Sequence, residues 1–267
     1  MHKVAERAEG YMGRVPIRDL RQAGVPGAGP GEEKWLYITD AADIAVRLRD
    51  QGEAVLVWLH ENNTDQDFSG FLYAVTEPEE LEPEFLERVY RRQKGLPWQI
   101  LETRRCVVRE TVPEDVVAFY GIYSHPSITR HMEDLYPDVE QEKQYIREYV
   151  DKVYTYYEYG VWTVLEKATG EVIGRAGFSH REGYEEPELG FVIGVPWQHR
   201  GYAWEVCQAV LEYGFGSLGF ERVQAIVEPG NTASLYLCRK LGFRKAGTVV
   251  IGGREYWRLL RQGDVFF

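Results

Sequence analysis

Apolar residues along the chain recur with two periods, and the switches between those periods divide it into strands and helices. Trp35-Leu-Tyr-Ile-Thr-Asp40 is a short apolar run of strand type. Ala41 to Gln51 carries Ile44, Ala45 and Leu48 at helical spacing and stops at Gly52, and Ala54-Val-Leu-Val-Trp-Leu-His60 is a second strand. A strand, helix, strand succession of this length predicts a parallel pair joined by a crossover, a small Rossmann-like unit. Glu79 to Lys94 then reads as a helix with Phe85, Leu86, Val89 and Tyr90 inward.

A new series begins at Cys106-Val-Val-Arg-Glu-Thr, a strand that leads into Val112-Pro113-Glu114-Asp115, where proline suits the first turn of a helix. A second helix is predicted over about Val139 to Tyr156. Val161 to Leu165 and Val172 to Ser179 form a hairpin around an Ala-Thr-Gly turn, and Pro187 to Ile193 is a further strand. From Ala203 the apolar positions Val206, Cys207, Val210, Leu211, Phe215 and Leu218 trace the stripe of a helix buried on one face. Arg222 to Val227 is a strand, Ala233 to Leu241 a helix, and the segments at Gly242 and Arg254 to Leu260 supply the last strands.

Three segments follow: residues 1–33 as a flexible arm or linker, 34–104 as a small α/β domain, and 105–267 as a larger one. The run Gly24-Val-Pro-Gly-Ala-Gly-Pro-Gly31 is rich in glycine, but two prolines and the lack of a preceding strand make it a linker rather than a phosphate loop. The polar stretch Glu61 to Gly70, where the second strand ends, is read as a solvated surface loop; ligands bind at such positions in other α/β sheets.

Hydrophobic content of 44%, with 13% aromatic residues, is enough to build a real core. The net charge of −11 argues against nucleic acid as a partner and favours a cationic small substrate. Cys106, Cys207 and Cys238 are odd in number and widely spaced, which fits reduced thiols rather than a disulfide framework or a metal site. No stretch approaches the ~18 apolar residues of a membrane span, and Met-His-Lys-Val-Ala-Glu-Arg lacks the apolar core of a signal peptide. The expectation is a cytoplasmic protein with no metal and no membrane partner.

The turn between the Pro187 to Ile193 strand and the next helix reads Gln198-His199-Arg200-Gly201-Tyr202-Ala203. It lies at a helix N-terminus, where free N–H groups and the positive end of the dipole favour an anion. Gly201 removes the Cβ that would block a phosphate, Ala203 keeps the first helical turn narrow, and Arg200 and His199 add charge.

This loop resembles the Gln/Arg-x-x-Gly-x-Gly/Ala signature of the GNAT family of N-acetyltransferases. The strand followed by Pro113-Glu114-Asp115 resembles the opening of that family. Glu188-Leu-Gly-Phe-Val-Ile and Asn231-Thr-Ala-Ser-Leu-Tyr-Leu-Cys-Arg-Lys-Leu-Gly-Phe243 are similar to its RimJ/RimL-type branch. The element order β-α-α-β-β-β-α-β-α-β-β from Cys106 to Leu260 is the family's order, so the resemblance covers about three fifths of the chain. It implies an α/β fold with a mixed, splayed central sheet and flanking helices, preceded by the Rossmann-like region.

The resemblance also implies roles. Main-chain groups of Ile193 and Val195 would bind the pantetheine arm of acetyl-CoA, with the Ile193 N–H facing the thioester oxygen. Gln198, His199, Arg200, Gly201, Tyr202 and Ala203 would hold its pyrophosphate. Asn231 is at once a natural N-cap and, by resemblance, a coenzyme ligand, and Ser234 one turn on shares that role. Glu188 is the candidate base, as against a carboxylate that is only solvated. Where many relatives carry a tyrosine acid, this chain has Cys238, with Tyr236 two residues earlier. A thiol can protonate the leaving thiolate, but cysteine is equally a small buried residue.

The acceptor side is expected from the two early helices and the Ser179 to Glu186 loop. Tyr154, Tyr156, Tyr157, Tyr159 and Trp162 are dense enough to hold a cation, and suit a core or a homodimer surface as well. The function expected is transfer of acetyl from acetyl-CoA to a primary amine of a small molecule or protein N-terminus. The alternative is a non-catalytic acyl-CoA-binding or sensory module. A separate activity of residues 34–104 on a nucleotide or phosphate ester has topology alone behind it.

Overall fold

The computed structural model describes residues 17–20, 35–132 and 134–263. The chain divides into two compact units, Met1–Trp98 and Gln99–Phe267. Most of the 1–33 segment, including the Gly24 to Gly31 run, lies outside the described residues. Within that segment Ile17–Asp19 is a strand rather than part of an arm, because it pairs in register with Leu36–Thr39.

The first unit is a parallel sheet of β1 (Ile17–Asp19), β2 (Leu36–Thr39), β3 (Ala54–Trp58) and β4 (Ala74–Val75), in that spatial order. The helix α1 (Ala42–Asp50) makes the predicted crossover between β2 and β3, and α2 (Pro83–Gln93) follows β4. Strand alternation gives each helix its own face. Leu36, Ile38 and Leu56 pack with Val89 and Tyr90, whereas Val55 and Val57 pack with Ala45 and Leu48. The polar loop after β3 is partly structural: Asn63, 2% exposed, donates from Nδ2 to Asp40 O at 3.1 Å and Trp58 O at 2.8 Å. It ties together the ends of β2 and β3.

The second unit holds the predicted element order. It comprises β5 (Gln99–Glu102), β6 (Cys106–Arg109), α3 (Val116–Tyr123), α4 (Pro126–Thr129) and α5 (Val139–Tyr149). A π turn, Val150–Tyr154, and the short α6 (Thr155–Tyr157) extend α5. Then come β7 (Val161–Glu166), β8 (Val172–Ser179), β9 (Glu188–Ile193), α7 (Tyr202–Gly216), β10 (Arg222–Val227), α8 (Thr232–Lys240), β11 (Arg244–Ile251) and β12 (Arg254–Gln262). Gln99–Glu102 pairs antiparallel with β6, so the boundary falls at Trp98 and Gln99 rather than at 104 and 105. The polar Thr103 to Arg105 segment is a hairpin turn, closed by Thr103 N–H on Cys106 O at 2.8 Å.

The eight strands run in the order β11-β12-β10-β9-β8-β7-β6-β5. Neighbours are antiparallel except β9 and β10, which α7 joins as a parallel crossover. Their ladder holds a single rung, Gln224 opposite Glu188, and beyond it the strands part. Buried polar groups hold that junction. Gln224 donates from Nε2 to Glu186 O at 3.0 Å and accepts from Arg258 Nε at 2.9 Å, while Glu186 pairs with Arg258 at 2.6 Å and Arg222 at 3.1 Å. No helix among the described residues is long and apolar enough to cross a membrane.

Candidate active site

A cleft of about 1780 Å³ opens where β9 and β10 separate. Hydrogen-bond alternation decides which main-chain groups face it. Gly194 N–H donates to Ile173 O on β8 at 2.8 Å, and Gln224 N–H donates to Pro187 O at 2.9 Å. Gly194, Val192 and Gly190 therefore turn toward β8, and Leu189, Phe191 and Ile193 turn toward β10. Past the rung at Glu188, β10 is too far to take them. The N–H groups of Phe191 and Ile193 are thus presented to the gap, and Val195 follows with the same parity, while its carbonyl accepts from Gln198 N–H at 3.1 Å.

After Ile193 the chain makes a 3-10 turn over Val195–Trp197 and reaches α7 through two left-handed residues, His199 at φ 57° and Gly201 at φ 82°. A Cβ on Gly201 would meet only Arg105 Nη2, at 3.5 Å. Backbone conformation, rather than space within the protein, is what demands glycine here. Gln198 closes the loop on itself, donating from Nε2 to Ile193 O at 2.9 Å. Tyr202, 3% exposed, donates its hydroxyl to Glu166, and Glu205 N–H makes the first intrahelical bond, to Gly201 O at 3.1 Å. The amides of Tyr202, Ala203 and Trp204 precede that bond and form the helix's donor end.

Arg105, which the sequence reading did not single out, completes the loop. Its Nη1 donates to Arg200 O at 3.0 Å, its guanidinium lies 4.0 Å from the Tyr202 ring centroid, and Glu205 holds its Nε at 2.7 Å. Burial opposes the charge on Glu205, but hydrogen bonds from Thr103 and Arg105 outweigh it and hold the carboxyl below its ordinary range. The result is a helix N-terminus with two arginines beside it, chemically suited to a pyrophosphate.

On the other side of the gap Asn231 caps α8, accepting from Ser234 N–H at 3.1 Å. Asn231, Ser234 and Tyr236 all line the cleft, with Tyr236 70% exposed. Cys238 does not. It is 0% exposed in the core beside Cys207, and burial pushes its thiol up to about 12. A thiol that is both enclosed and a weaker acid than the group it should protonate is unsuited to the donor role, so the expected catalytic Cys238 is corrected to a core residue.

Of the two readings of the aromatic cluster, most of its members take the core one. Tyr154 and Trp162 are fully buried, Tyr159 packs on Phe178 and Phe220, and Tyr157 stacks on His180 at 5.4 Å. The cleft instead draws Tyr123, Tyr136 and Tyr145 from the α3 to α5 region. Glu188 does face the cleft, held by two nitrogens of Arg181, the second at 3.2 Å. It lies five residues before Ile193, about 16 Å along an extended strand. A second polar pair lines the cleft. His131 Nδ1 is 2.5 Å from Glu228 Oε2, and Glu228 directly follows β10, four residues past the Gln224 rung. Among the described residues no group of three or more His, Cys, Asp or Glu side chains could hold a metal ion.

The family model described as an acetyltransferase (GNAT) domain matches residues 105–244. The N-acetyltransferase YoaA of Bacillus subtilis is 31% identical over 157 residues, 56% of this chain and 85% of that protein. The ribosomal protein uS5-alanine N-acetyltransferase of Escherichia coli is 35% identical over 79 residues, 29% of this chain and 41% of that protein. Among solved structures, a GNAT-family acetyltransferase from Bordetella pertussis superimposes with a TM-score of 0.52 at 26% identity, over 60% of this chain and 98% of that one.

Proposed function

The chain belongs to the GNAT acetyltransferases, and on that footing we propose that it moves the acetyl group of acetyl-CoA onto a primary amine by direct attack in a ternary complex. What carries the reading is the gap beyond the Gln224–Glu188 rung, with unpaired strand N–H groups on one wall and the Gly201 helix terminus at its end. The loop residues Gln198 to Ala203, with Arg105, bind the pyrophosphate. Phe191, Ile193 and Val195 main-chain groups hold the pantetheine arm, and Asn231 and Ser234 take the coenzyme from the α8 side.

The amine arrives as an ammonium and gives up a proton before it attacks. Glu188 accepts that proton through water, with Arg181 holding its carboxylate in place. As the C–N bond forms and the C–S bond breaks, Ile193 N–H stabilises the oxyanion, Tyr236 protonates the departing thiolate, and the second proton lost by the nitrogen as the amide forms returns through water to the Tyr236 phenolate. The 2.5 Å pair of His131 and Glu228 favours a second reading of the base. With Glu228 fixing the Nδ1 hydrogen, Nε2 is left to accept the proton.

The acceptor is a small molecule or a peptide N-terminus, and its ammonium suits an acidic protein of net charge −11. The similarity to the uS5-alanine enzyme puts peptide N-termini among the compounds to try. Three free, buried cysteines suit the reducing cytoplasm. The experiment is thiol release from acetyl-CoA with a panel of amines, and mass spectrometry of the products. Amine-dependent thiol with an acetylated product is expected. Tight acetyl-CoA binding with no thiol released from any amine would leave a binding or sensory module instead.

A further inference from the structure

On β8, Arg175 pairs across the ladder with Val192, one residue from the Ile193 N–H that faces the gap. Phe178 on the same strand turns toward α7, against Trp162 and Phe220. Arg175 has the other parity and lies under α3, its guanidinium 4.8 Å from the Phe119 ring centroid and facing the phenols of Tyr123, Tyr149 and Tyr154. It forms part of the cleft wall.

Comparable arginines of this unit have carboxylate partners. Arg105 has Glu205, Arg109 has Asp115, Arg181 has Glu188, and Arg258 has Glu186. Arg175 has none among the described residues, and its Nε is buried with no hydrogen-bond partner. A guanidinium stays charged at any working pH, and a half-buried cation without a counter-anion is costly. Phe119 covers the guanidinium and the Tyr123 hydroxyl accepts a hydrogen bond from it, but neither neutralises its charge, and a carboxylate matches the geometry of its remaining donors.

We propose that Arg175 anchors a carboxylate on the acceptor, so that the compound acetylated carries an ammonium and a carboxylate together, as an amino acid does. The inference rests on the reading of this cleft as the acceptor site. The carboxylate comes from the α-position of a free amino acid or from an acidic side chain at a peptide N-terminus, and the recognition chemistry is the same for both.

The test compares matched acceptors on the full chain: amino acids against their amides and decarboxylated amines, and dipeptides opening with Asp or Glu against Asn or Gln. We expect kcat/KM to favour the carboxylate member by at least tenfold in one of the two sets, which identifies the source. Arg175→Met should bring that ratio to about one, and Arg175→Lys should restore part of it. Calorimetry of N-acetyl amino acids against their amides, without coenzyme, gives the same comparison independently of turnover, and on the wild type alone if the methionine variant does not fold. Active enzyme with ratios near one, or a ratio that survives Arg175→Met, overturns the proposal. No thiol release from any amine, with the carboxylate preference in calorimetry intact, counts against the acetyltransferase reading and supports this one.

Discussion

Arg105 and Glu205, a hundred residues apart, are joined twice: the backbone N–H of Arg105 donates to Oε1 at 2.8 Å and its Nε to Oε2 at 2.7 Å. The β5–β6 turn is thereby fixed to the first turn of α7, and the guanidinium is left over Tyr202 with Nη1 on Arg200 O. A carboxylate in a first helical turn also complements the dipole. The loop that leads into α7 is therefore tied to the β5–β6 turn.

Removing either partner should separate binding from stability. Arg105→Ala is expected to weaken acetyl-CoA about tenfold at low salt, roughly 1.4 kcal/mol, and less at high salt as screening grows. Glu205→Gln acts on the fold. The folded-state carboxyl lies below its ordinary value of 4.5, so its contribution is full above that pH and is lost as the pH falls through the depressed value. Melting curves from pH 6 down to 3 should show a flatter acid limb for the glutamine variant. Parallel limbs would mean that the pair contributes nothing to acid stability.

Gly201 allows a sharper test of the loop. At φ 82° a Cβ costs about 1–2 kcal/mol, but space is open apart from Arg105 Nη2 at 3.5 Å. Gly201→Ala should therefore fold with a lowered melting temperature. Gly201→Glu adds a negative charge where phosphate is proposed to bind, and should lose about 2 kcal/mol or more of acetyl-CoA affinity. A folded glutamate variant of normal affinity by calorimetry would remove the pyrophosphate assignment.

Periodicity carried the sequence reading as far as local order reaches. The stripe of Val206, Cys207, Val210 and Leu211 is the buried face of α7, and the Val161 and Val172 segments pair as predicted. The Gly201 loop is where its residues place it. Cys238 was legible too: Leu235, Cys238 and Leu241 recur at i, i+3 and i+6, and all three are buried. What stayed hidden depends on topology. Nothing local tells Arg105 that Glu205 is its partner, or His131 that Glu228 is, because each pair forms only once the sheet is assembled. The tyrosines stayed between two readings for a related reason, since composition shows that they cluster but not which face of the sheet they cover. Ile17–Asp19 is too short to carry a period and was visible only through its register with β2.

Cys238 should act through stability. Its folded-state value near 12 stands above the ordinary 9.0, so its contribution is full below pH 9 and is lost as the pH rises toward 12. Each such thiol steepens the alkaline fall by about 1.4 kcal/mol per pH unit. Cys238→Ala should cost about 1 kcal/mol at neutral pH from the lost packing and relax the slope between pH 9.5 and 11. Turnover per folded molecule should hold. A hundredfold loss of turnover in a normally stable variant would return the thiol to the chemistry.

The identity of the base is decided by comparing Glu188 and His131. Glu188 is on the strand that carries Ile193 but about 16 Å back along it, and Arg181 occupies both its oxygens. His131 lines the same cleft, and among the described residues Glu228 engages only its Nδ1. If the proton leaves through water to Glu188, Glu188→Gln slows transfer by ~10² to 10⁴-fold and removes the rise of rate with pH, with acetyl-CoA affinity preserved. Arg181→Ala should lower kcat as well, since it releases the carboxylate that it holds. Glu228→Gln should then have little effect on the shape of the profile. The opposite pattern, with the rise lost in His131→Asn and shifted in Glu228→Gln but intact in Glu188→Gln, assigns the proton to the imidazole. A pH series on these four variants with one amine acceptor, read as kcat and KM separately, distinguishes the two routes because each variant disturbs one member of one pair and leaves the other pair assembled.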